Sequence, residues 1–105
     1  KNEKNSGSVQ FENETAINIY NKFRAYSIWP SIFFNQSGKK IKIINLRLLE
    51  TKNLRPGKFS LNNKTIQVGT TSTDLEITEL QLEGKQKQSA ETFINGYQQL
   101  FSSQL

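Results

Sequence analysis

The sequence predicts a mainly β fold, a five-stranded OB-like barrel with an N-terminal helix before it and a C-terminal helix after it. Three observations carry this. Five extended segments separated by turn residues fill positions 31–83, two of them shift apolar phase by one residue midway, and the flanking stretches show helical spacing. Strands that serve first one face and then another suit a small closed sheet, because bulges and sharp coils turn its corners. A chain of 105 residues has room for one such domain.

Residues 1–10, KNEKNSGSVQ, offer a single Val among polar residues. Too little apolar area is present to offset ordering entropy, so they are expected to form a flexible arm or linker remnant before a domain at 11–105. Asn13 is a competent N-cap, and Ala16, Ile19, Tyr20 and Phe23 recur at helical spacing. This first helix should end near Tyr26, since Trp29-Pro30 disfavours helical geometry. Ser31 to Asn35 and Lys40 to Glu50 form a hairpin across Ser37-Gly38-Lys39, and the phase of the second strand slips at Ile43/Ile44. A loop at Asn53–Gly57 leads to Lys58–Leu61, Asn62-Asn63 turns into Thr65–Gly69, and Ser72–Asp74 turns into Leu75–Glu83, whose phase slips around Thr78/Glu79. Both slipping strands are expected to change face. After a polar loop at Gly84–Gln88, Ser89 caps a second helix whose stripe of Ala90, Phe93, Ile94, Tyr97, Leu100 and Phe101 is expected to pack on the barrel or the first helix.

The chain contains no cysteine and no histidine. That removes disulfides, thiolate nucleophiles, zinc ribbons, the commonest general base and the commonest metal ligand, so no catalytic or metal residues are expected. Asp74 with Glu76, or Glu76 with Glu83, are acidic neighbours explained as exposed positions near or on an alternating strand. Gly38-Lys39-Lys40 lacks the four-residue gap between glycines and the hydroxyl of a phosphate loop. No apolar run approaches the roughly 20 residues of a membrane span and no leader precedes the domain, which predicts a soluble protein. With Lys1 at its start and no methionine anywhere, the chain reads as a piece of something longer.

Charge is unevenly spread. The net +5 divides into −1 over residues 1–21, +9 over residues 22–64 and −3 over residues 65–105; the middle holds ten cationic residues against Glu50 alone. Such a segment is either a solvated face or a phosphate-binding stripe. Phe33, Phe34 and Trp29 could stack unpaired bases, but their neighbours Pro30 and Ile32 point to core membership. Phosphate contacts are expected, not stacking.

Five stretches in order carry a family resemblance: Lys22-Phe23-Arg24-Ala25-Tyr26-Ser27-Ile28-Trp29-Pro30, Gly38-Lys39-Lys40-Ile41-Lys42-Ile43, Arg55-Pro56-Gly57, Leu80-Gln81-Leu82-Glu83-Gly84-Lys85 and Ser89-Ala90-Glu91-Thr92-Phe93-Ile94-Asn95-Gly96-Tyr97. Over about residues 11–100 the chain resembles the C-terminal domain of the methionyl-tRNA formyltransferases. The resemblance implies an OB-like barrel joined to an N-terminal catalytic domain that is absent here. That domain uses an Asn, a His and an Asp to move a formyl group from 10-formyltetrahydrofolate to initiator methionyl-tRNA in the cytoplasm. It further implies a tRNA-binding surface whose basic positions match Arg24, Lys39, Lys40, Lys42, Lys85 and Lys87, with no cofactor in this piece. Arg24 is as well placed to tie helix to barrel. Gln86 and Gln88 dilute the loop charge, which shifts the emphasis to Lys39, Lys40 and Lys42. Two other readings remain open: a domain-packing module of a related formyltransferase, and a self-standing single-strand-binding OB fold.

Overall fold

Thr15 opens the first helix, α1 (Ala16–Arg24), by accepting the Asn18 N–H on its Oγ1 at 3.1 Å. The expected cap, Asn13, is two residues early: its N–H is spent on the Gln10 carbonyl in a preceding turn. Glu14 secures the start, its carboxylate accepting from Gln10 N and Asn18 Nδ2. The Ala25 N–H closes the last turn onto Asn21 and Lys22 carbonyls. The computed structural model describes residues 7–25, 31–62 and 64–104. The expected helix end at Tyr26 and the Trp29-Pro30 corner lie outside the described residues.

Six strands follow among the described residues: β1 (Ile32–Gln36), β2 (Lys39–Leu48), β3 (Phe59–Leu61), β4 (Ile66–Val68), β5 (Leu75–Leu82) and β6 (Gln88–Ser89). They form one antiparallel sheet in the order β1-β2-β5-β4-β3, with β6 on β5. The β1–β2 hairpin turns on two residues, Ser37 and Gly38, with φ of 54° and 78°. Positive φ at both central positions is the tight-hairpin geometry whose twist matches the strands, and it sets the register Gln36 opposite Lys39. Strand β6 replaces part of the expected polar loop. Beyond the end of β4, the edge of β5 still has unpaired backbone groups, and Gln88 and Ser89 pair there with Leu80 and Glu79.

The two expected phase slips are a single feature. Register shifts in β2 fall on either side of Asn45, which stands opposite Glu79 of β5. The strands do not change face as expected: the extra residue reverses parity, so that Ile41, Ile43 and then Leu46 on β2, and Leu75, Ile77 and then Leu80 and Leu82 on β5, all enter one core. The sheet curls, but among the described residues β1 and β3 are not paired, so the expected five-stranded closure is not seen. Side chains span the gap instead. Phe11 meets Phe34 of β1 at 5.3 Å and Phe59 of β3 at 5.7 Å between ring centroids, and Phe34 and Phe59 stand 5.4 Å apart. A cleft of ≈ 370 Å³ lies along this seam.

Helix α2 (Ala90–Tyr97) is capped as expected by Ser89, whose Oγ accepts the Thr92 N–H, and runs into a 3₁₀ segment, Gln98–Gln104. Its apolar stripe enters the core, with Phe101 packed on Phe59 at 4.9 Å and Phe93 fully buried. Residues 1–6 of the expected arm lie outside the described residues. Gly7 to Val9 run parallel along β1, where Val9 N donates to Phe33 O and Phe33 N to Gly7 O, and Val9 is buried.

Asp74 corrects one expectation: it is fully buried, not exposed. Its carboxylate accepts N–H bonds from Asn53 at 2.8 Å and Leu54 at 3.3 Å, and its own N–H donates to Thr51. It anchors the loop between β2 and β3. Asp74→Asn keeps one acceptor but sets an amide N–H₂ against a backbone donor, so a loss of about 1–2 kcal/mol in urea unfolding is expected.

Candidate nucleic-acid interface

The outward face of the sheet divides at the Asn45–Glu79 bulge. Beyond the bulge toward the end of β5, Lys40 and Lys42 share the outward phase of β2, between the buried Ile41 and Ile43. Across the strands Lys42 faces Phe33 on β1 and Gln81 on β5, and Lys40 faces Asn35. The Lys40 ammonium lies 4.3 Å from the Phe33 ring centroid. Phe33 is half-buried where Ile32 and Phe34 are 2% and 3% exposed, so this ring belongs to the outer face and only Phe34 to the core.

Lys85 and Lys87 border the same face. A tight turn, with Lys85 N–H donating to Leu82 O and Gly84 at φ +86°, returns the chain beside β5. Gln81 Nε2 braces that turn on the Lys85 carbonyl at 2.7 Å. Lys87 precedes Gln88, which faces Leu80, and so falls across from Gln81. Lys39 takes the opposite phase from Lys40, exposed at the hairpin end. Arg24 is not brought into this row: its guanidinium stands 5.8 Å over the Tyr20 ring at the end of α1. The tie from helix to sheet comes from its neighbour Lys22, which reaches Ser8 O at 3.3 Å and Glu14 at 3.2 Å.

On the other side of the bulge the outer face is a polar ladder, Ser60–Gln67–Glu76–Arg47. Arg47 pairs with Glu76 at 2.9 Å, and the Glu76 side chain is only 13% exposed, which corrects the reading of Glu76 as an exposed position. Lys52 is committed to the Thr70 carbonyl. The +9 segment is thus partly spent on structure. No carboxylate among the described residues pairs with Lys39, Lys40 or Lys42, although exposed Glu83 adds an acid at the end of their row, its N–H on Lys40 O.

The arrangement offers clustered ammonium groups around an aromatic ring and two amides, a set suited to a polyanion carrying bases. No group of three His, Cys, Asp or Glu residues suited to a metal occurs among the described residues, and none of their helices is long and apolar enough to cross a membrane. The sequence overlooked the outward aim of Phe33 and the bracing by Gln81. The turn-set register, which places Phe33 opposite Lys42, is the signal that could have found the first.

The model of the formyl transferase C-terminal domain matches residues 1–98. The chain belongs to that family. Two curated relatives, both named methionyl-tRNA formyltransferase, align over most of it. The protein from Caldicellulosiruptor saccharolyticus is 36% identical across 90% of this chain and 32% of its own length, and that from Sulfurimonas denitrificans 38% identical across 89% and 30%. The formyl transferase C-terminal domain thus spans about a third of the curated relatives it matches. A solved variant of HypX from Aquifex aeolicus superposes with a TM-score of 0.66 at 18% identity, over 90% of this chain and 18% of that one. At that identity the likeness is one of fold.

Proposed function

We propose that this domain binds tRNA through the face bearing Lys40 and Lys42, with Lys85 and Lys87 beside them and Lys39 and Arg24 at the margins. The observation that supports this most is the pairing on one strand face of two lysines with no carboxylate partner among the described residues, next to a turn carrying two more. The parent protein is a cytoplasmic methionyl-tRNA formyltransferase, its N-terminal domain transferring formyl from 10-formyltetrahydrofolate to initiator methionyl-tRNA. The curled sheet is an open form of an OB-like barrel, and the domain itself supplies no catalytic group.

Phosphate contacts release counterions, so affinity must fall with salt. If four lysines each engage a phosphate, log affinity against log salt has a slope of about −3. Titrating labelled initiator tRNA with the 105-residue chain at several potassium concentrations measures it. A flat response would overturn the proposal.

A further inference from the structure

We infer that Phe33 is a stacking platform for one unpaired RNA nucleotide, so that the basic face grips a single-stranded segment as well as phosphates; this rests on the nucleic-acid reading of that face. Phe33 is the aromatic among its outward residues, opposite Lys42 and under the Lys40 ammonium. Its backbone is fixed on both sides, by β2 on one edge and by Gly7 and Val9 on the other, so the ring is held in place before any ligand arrives. Stacking on a pre-positioned ring costs little ordering.

Lys40 now occupies the ring face that a base would take. The exchange is favourable because the displaced ammonium moves to the phosphate of the incoming nucleotide, trading a weak contact with the ring for a charged one. The exposed Asn35 amide, next outward on β1, flanks the ring and supplies a donor and an acceptor for a base edge. Among the described residues the other outer facet, Ser60–Gln67–Glu76–Arg47, carries no ring and its arginine is paired with Glu76, so an unpaired base is favoured on the Phe33 side.

The test compares two RNA probes by fluorescence anisotropy at one salt concentration, a blunt duplex of two annealed strands and the same duplex with a four-nucleotide unpaired tail. The tail should tighten binding about tenfold. Phe33→Leu, which keeps apolar bulk without a planar face, should abolish the gain and leave the blunt duplex within about twofold, whereas Phe33→Tyr should retain it. Lys42→Ala should weaken both probes alike. Equal binding of the two probes by the unaltered chain, or an undiminished gain in Phe33→Leu, overturns the inference while leaving the phosphate reading intact. Absence of binding to both probes overturns both.

Discussion

Phe59→Ala is expected to lower the unfolding free energy by about 3–5 kcal/mol, a large share of the roughly 5–15 kcal/mol that a domain of this size possesses. Strand β3 has three residues and pairs with β4 alone, so no backbone bond among the described residues joins it to β1. Its ring makes that connection, touching Phe11, Phe34 and Phe101. Truncation therefore removes more than buried area: it opens the seam of the curled sheet. Phe59→Leu, which keeps most of the volume, should cost clearly less. Urea unfolding followed by far-UV circular dichroism measures both, and a loss below about 1 kcal/mol for the alanine variant would mean that the seam is closed by something else.

Reversing two charges, Lys40→Glu with Lys42→Glu, is expected to weaken tRNA binding about ten- to a hundredfold and to flatten the salt slope by about 1.5. Both side chains project from the outer face, so stability should change little beyond the loss of the Lys40–Phe33 contact, about 0.5–1 kcal/mol. Arg47→Ala is the matched control. It removes a cation from the same stretch of sequence, but one already paired with Glu76, and its effect on tRNA binding should stay within about twofold. Comparable losses from the two changes would show that overall charge, and not this face, governs binding.

The contrast between Lys42 and Arg47 also marks where sequence reasoning ends. Phase slips at Ile43/Ile44 and Thr78/Glu79, the Ser37–Gly38 turn and the Ser89 cap were all legible, because each depends on a few neighbouring residues. Whether a cation is free depends on which residue stands opposite it. Glu76 is 29 residues from Arg47 along the chain, and only the β2–β5 register joins them. The same limit hid Asp74, whose partners Asn53 and Leu54 lie about 20 residues away, and β6, which exists only because β4 stops short on β5. Phe33 was ambiguous for another reason: Ile32, Phe33 and Phe34 are consecutive apolar residues, so alternation cannot say which one faces out.

The track of Gly7 to Val9 along β1 bears on how a longer protein would use this domain. The chain enters beside Phe33, at the border of the lysine-bearing facet. If the proposed RNA contact holds and a catalytic half lies upstream in the parent protein, an RNA on that facet sits next to the tether between the two halves. Each half then experiences the other at an effective concentration on the order of millimolar. Under the proposed function a weak grip by this domain is then sufficient, because its task becomes delivery rather than retention.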